Sequence, residues 1–167
     1  MVQSDQVLSM LSEYMITKGR CAYMEAKISV LEMEIRSAYA SLVTDQVLAS
    51  SGQDGMPRGN EISRTVENLA IRLADGWVPD TLRDMNAELS ELYRQRDILK
   101  NVLARVDAWL KGLTDRQRFV IEHQVIQNES WREVTNSFRQ QFGESVSKDT
   151  LKRIKDRAVD TIISMAE

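Results

Sequence analysis

The stretch from Ser147 to Ala158, "SKDTLKRIKDRA", gathers five cations, Lys148, Lys152, Arg153, Lys155 and Arg157, in a chain whose net charge is only -3. Cations at helical spacing neutralise phosphates well, and arginine adds a bidentate contact to guanine. Ser147 in front of them suits a helix start, whose free N–H groups can also meet a phosphate. The residues for covalent chemistry are scarce by comparison. His123, the only histidine, has no nearby serine or cysteine nucleophile in sequence, and a half-buried or surface histidine is the default reading. With Cys21, the only cysteine, it cannot supply the thiolate and imidazole set of a structural zinc site. No glycine-rich phosphate loop, serine-nucleophile motif or pair of catalytic carboxylates is present, so the chain reads as a nonenzyme without metal or cofactor.

On a helix turning ~100° per residue, Leu151, Ile154, Ala158, Ile162 and Met165 fall on one side. Opposite them stand Asp149, Lys152, Arg153 and Asp156, with Lys148 and Lys155 on one flank and Thr150 in the first turn. A charged outer face is also what any solvated helix shows, and Asp149 and Asp156 cut the local excess to three. The context upstream favours the sharper reading. Thr114 with Gln117 and Ser130 with Glu133 are two capping boxes, each marking a further helix start. The helix from Asp115 to about Ile126 offers Phe119, Val120, Val125 and Ile126 to a core; the one from Trp131 to about Phe142 offers Trp131, Val134, Phe138 and Phe142. The basic helix is therefore the third of a compact unit, joined to the second by the short link "GESV", as in a helix-turn-helix whose last helix enters the DNA major groove.

The elements that carry this unit are long. Val7, Met10, Tyr14, Cys21, Met24, Ile28, Leu31, Ile35, Ala38 and Leu42 recur at steps of three and four, with Thr17 the polar member. A second seam runs Leu82, Met85, Leu89, Leu92, Arg96, Leu99, Leu103, Val106, Leu110 and Leu113. A helix of that length cannot stand alone with one apolar side in water, so the two seams pair as a hairpin in one chain or between chains as a homo-oligomer. Arg96, on the second seam, either fixes register or extends its guanidinium to the edge, while Cys21 reads as a small apolar filler. The glycines and Pro57 of "SSGQDGMPRGNEIS" make residues 50–63 a loop. A short helix with Val66, Leu69, Ala70 and Leu73 follows, ending at Gly76; Pro79 then opens the second seam's helix and Gly112 closes it.

Seven glycines and two prolines in 167 residues, with 43% hydrophobic residues, predict an all-α protein: a helical hairpin over 1–112 and a helix-turn-helix unit over 113–167. Residues 1–113 hold the whole net charge of -3 and 114–167 are neutral, which excludes a polycation coating nucleic acid without selection. The absence of a long apolar run and of a signal-peptide pattern predicts no membrane partner and a cytoplasmic place.

"LTDRQRFVIEHQVIQNESWREVTNSF" followed by "SKDTLKRIKDRAVDTII" resembles the helix-turn-helix of sigma factor region 4, and more closely the phage-encoded late-gene transcriptional regulators of the RinA and ArpU type. "DGMPRGNEISRTVE" is similar to a segment of such phage proteins, so the resemblance covers about residues 52–76 and 110–163. It implies a DNA-binding activator of phage genes, acting at a promoter beside host RNA polymerase in the bacterial cytoplasm. By position it implies that Ser147, Lys148, Lys152 and Arg153 enter the groove, that Arg132 touches phosphate, and that Arg116 and Arg118 meet the DNA backbone or polymerase. Trp131 is read as a core anchor, since it lies on the apolar side. Two departures stand against the pattern: "RQQFGESVS" is longer than the usual turn, and Val66 replaces an expected threonine or proline. The competing readings are a phage DNA-packaging protein like a small terminase subunit, and a helical interaction module that binds no DNA.

Overall fold

The computed structural model describes residues 3–50, 67–68, 71–72 and 78–166, and every regular element within them is helical, as the composition predicts. Helices α1 (Ser4–Ser12), α2 (Tyr14–Ser50), α3 (Asp80–Gly112), α4 (Asp115–Val120), α5 (Trp131–Phe142) and α6 (Lys148–Ala166) follow one another, α4 running on into a π-helical segment, Ile121–Ile126. Glu67, Asn68, Ile71 and Arg72 are helical and exposed. The 50–63 loop beyond Ser50, and Val66, Leu69, Ala70, Leu73 and Gly76 of the short helix expected after it, lie outside the described residues.

Contacts divide the chain into two compact units, one of Met1–Ala22 with Asp97–Glu167, the other Tyr23–Arg96. This differs from a division at residue 112, and the reason is local. Val7 and Leu11 of α1 are fully buried in one cluster with Val106, Trp109 and Leu110 of α3, Ile121, and Ala158, Val159 and Ile162 of α6. The seam from Val7 to Leu42 is accordingly carried by two helices, broken at Glu13, and its first members serve the C-terminal helices.

In the Tyr23–Arg96 unit the two seams meet within the chain: Ile28, Leu31 and Ile35 of α2 are buried with Leu82 and Leu92 of α3. Fully burying a side chain of this size contributes roughly 1.5–3 kcal/mol, which is what holds two long helices together. Lys27 reaches Glu88 at 2.9 Å and Tyr93 donates its hydroxyl proton to Glu32. Arg96, the charged member of the seam, turns its guanidinium over the Tyr93 ring, 4.6 Å from the centroid, a cation–π contact that keeps the charge out of the apolar layer.

The other unit has a second cluster: Phe119 and Val120 of α4, Val134 and Phe138 of α5, and Leu151 of α6. Phe119 meets Phe138 and Phe142 edge to face at 5.5 Å, and Trp131 packs half-buried at the margin. Both capping boxes form with their reciprocal bonds. Gly143, at φ 69°, ends α5 in the left-handed conformation that glycine adopts without steric cost, its N–H donating to the Arg139 carbonyl at 2.9 Å. Met165 departs from expectation. It sits beyond the last buried turn of α6, 43% exposed, with its sulfur beside Gly112.

Candidate nucleic-acid interface

Helix α6 begins where Ser147 caps it. The Thr150 N–H donates to the Ser147 hydroxyl at 3.2 Å, and the Leu151 N–H to the Ser147 carbonyl at 3.1 Å. The serine hydroxyl is thus engaged by the helix itself, and the Thr150 hydroxyl lies 3.0 Å from it. The helix is then gripped at two levels. Leu151 enters the cluster of α4 and α5, with Ile154 packed at its edge, and one turn further Ala158, Val159 and Ile162 enter the cluster of α1 and α3. Two anchors on one side orient the opposite side outward without adjustable parts.

On that outward side Lys148, Asp149, Thr150, Lys152, Arg153, Asp156 and Arg157 are all exposed. Lys148, Lys152 and Arg153 stand in the first two turns with Asp149 among them, and Asp156, Arg157 and Asp160 follow in the later turns. No ion pair among the described residues holds Lys148, Lys152, Arg153 or Arg157, although Asp149 and Asp156 lie one turn from Arg153 and Lys152 on the same helix. Lys155 is different. It lies one turn after Leu151 and one before Val159, so its stem is drawn against the core edge; its side chain is 25% exposed and its ammonium is 3.9 Å from Asp156.

Arg132, second residue of α5, is exposed. Arg116 is exposed but paired, its guanidinium 2.7 Å from Glu144 in the link between α5 and α6. Arg118 has structural work: Nε donates to the Leu110 carbonyl at 2.8 Å and an Nη to the Leu113 carbonyl at 3.2 Å. Leu110 lies in the last turn of α3, where its carbonyl also accepts from the Leu113 N–H at 3.3 Å, and Leu113 follows just past the helix end. A cation committed there caps α3 and fixes the entry into α4.

Sequence reasoning missed one arrangement beside these residues. The π-helical segment places His123 against the Phe119 ring, centroids 4.1 Å apart, with Nδ1 3.0 Å from the Glu129 carboxylate. The wider turn shows in the Gln127 N–H, which donates five residues back to the Glu122 carbonyl at 2.9 Å. The chain then reverses at Asn128, φ 54°, a left-handed position that asparagine tolerates. The pairing of "H" with "E" six residues on carries no periodic signal, so only the turn reveals it. Among the described residues no group of histidine, cysteine and carboxylate side chains could hold a metal ion, and no helix is long and apolar enough to cross a membrane.

No protein-family model, curated protein or solved structure is significantly similar to this chain.

Proposed function

We propose that this chain is a sequence-specific DNA-binding transcription regulator that uses α6 as its reading helix, with α5 as the helix before it in a helix-turn-helix. The observation that carries the reading is the first two turns of α6: Lys148, Lys152 and Arg153 exposed and, among the described residues, held by no ion pair, on a helix anchored at two levels on its other side. Lysines there neutralise phosphates and set position, while Arg153 supplies base-specific bonds, since its fork matches the acceptors of guanine. Arg132, at the front of α5, adds a phosphate contact, and Arg157 extends the cationic edge. Asp149 and Asp156, exposed on the same side, repel any phosphate that approaches them.

The resemblance to phage late-gene regulators extends the proposal to a promoter-bound activator working beside host RNA polymerase. For that step Arg116 is the candidate contact, since breaking its exposed pair with Glu144 costs little. Arg118 is a structural cap in this reading.

Capture and sequencing of phage and host genomic fragments by the pure protein, beside a Lys152→Ala/Arg153→Ala double variant, tests the proposal. One enriched promoter-proximal site, lost in the variant, supports it. Affinity should fall with salt, and the log–log slope should shrink by about 1 per phosphate contact removed. Equal behaviour of the two proteins, or enrichment of nothing, rejects the reading helix and turns attention to a protein partner for the same face. A ring of many subunits that captures a packaging motor would instead select the small-terminase reading.

A further inference from the structure

Helix α2 carries two apolar stripes, and among the described residues one of them is buried. Ile28, Leu31 and Ile35 are buried against α3, whereas Ile16, Tyr23, Val30 and Met33 on the same helix are 60, 66, 49 and 58% exposed. The exposed four are no scatter. Between and after them, at steps that alternate three and four from 16 to 40, stand Gly19, Ala26, Ser37 and Ala40, all exposed as well. At ~100° per residue this stripe lies about 160° round the helix from the buried one, so the contacts with α3 leave it uncovered. A helix with apolar stripes on two sides needs two partners.

We propose that the exposed stripe is the interface of an antiparallel homodimer, α2 against α2 of a second copy, with the two-fold axis at the level of Ile28. Self-complementarity argues for a second copy in this direction. Reversal about residue 28 sets Ile16 opposite Ala40 of the partner subunit and Val30 opposite Ala26 of the partner subunit, a large side chain over a small one. It also sets Tyr23 opposite Met33 of the partner subunit, where an aromatic ring meets a thioether. A parallel pair would set Gly19 on Gly19 and Ala26 on Ala26, leaving two unfilled layers.

Charge points the same way. Arg20 and Glu34, both exposed, flank the stripe on one side, and the antiparallel reversal brings each within a turn of the other on the partner, twice per dimer. In a parallel pair Arg20 would face Met15 and Glu34 would face Ser29, with no opposite charges joined. Lys27 would approach its own copy at the axis, and within each chain Glu88 already neutralises it at 2.9 Å. The dimer does not depend on DNA binding, and is measured without DNA.

Sedimentation velocity on the full chain tests the interface. The expected mass at micromolar concentration is twice 19.1 kDa, falling to 19.1 kDa in Val30→Lys and in Arg20→Glu, with helical circular dichroism unchanged because both positions are exposed. Arg20→Glu/Glu34→Arg restores the dimer. Direction is read by oxidation: Ala26→Cys mixed with Val30→Cys forms a cross-linked heterodimer that neither forms alone. A single-chain mass for the unaltered protein at every concentration, or a Val30→Lys variant that stays dimeric, overturns the interface; self-cross-linking of each cysteine variant overturns the direction.

Discussion

At the scale of single residues, two arginines two positions apart have opposite fates. Arg118→Ala removes two charge-assisted bonds, leaving the Leu110 carbonyl with the Leu113 N–H alone and the Leu113 carbonyl to water, a loss of about 1–3 kcal/mol that urea unfolding will register. Arg116→Ala breaks only an exposed pair with Glu144 and changes stability by less than about 1 kcal/mol. Tyr14 gives a pH signature. Its hydroxyl donates to Asp107 at 2.7 Å, and that bond, with burial and the carboxylate charge, pushes its pKa from 10.0 up to about 12. The folded chain thus keeps a proton the unfolded chain has released. The stabilisation is complete below about pH 10 and is lost as pH rises through about 12. Alkaline unfolding followed by circular dichroism should lose this component in Tyr14→Phe.

At the scale of elements, helix starts and stops carry stability that local substitutions expose. Thr114→Ala and Ser130→Ala each remove a capping box, with an expected loss of about 0.5–2 kcal/mol in thermal or urea melts. In the second box the Ser130 hydroxyl and N–H hold the Glu133 carboxyl below its usual range. That contribution is present above the ordinary glutamate pKa and disappears as pH falls through the lowered value, so Glu133→Gln should flatten the acid limb of the stability curve. Gly143→Ala places a Cβ at φ 69°, where space is open but the backbone conformation is not, and costs about 1–2 kcal/mol. These starts were legible in advance. Thr114, Ser130 and Ser147 are hydroxyls placed before apolar periods, and a cap acts within four residues. The π-helical segment was not legible, because a one-residue widening leaves Phe119, Val120, Val125 and Ile126 apolar whichever turn they occupy.

For the whole molecule, the proposals combine into a prediction about the target. A two-fold dimer through α2 presents two copies of α6, and a protein two-fold is matched by a symmetric operator. Footprinting should then show an inverted repeat, and Val30→Lys should bind one half-site with the same base preference but lower affinity. A single asymmetric site bound equally by both proteins would separate DNA reading from dimerisation. Core integrity is tested apart from these: Phe138→Ala, in the cluster that anchors Leu151, should cost about 3–5 kcal/mol and weaken DNA binding without altering any exposed cation.

The amino-acid order by itself determined the helical class, the caps at Thr114, Ser130 and Ser147, the two seams, and the side of α6 on which its cations stand. Each follows from interactions reaching no more than a turn or two along the chain. Tertiary structure decided what each apolar stripe and each charge would meet. Val7 and Met10 look like the start of the α2 seam, yet pack with α3 and α6; Arg118 looks like a surface cation, yet closes the end of α3; Lys155 is drawn half under the core edge. The second stripe of α2 has the same period as the first, and only packing against α3 distinguished the used side from the exposed one. Periodicity states that a face must be covered. Which face of which helix covers it is a matter of residues far apart in the chain, whose meeting is settled by the packing of the whole.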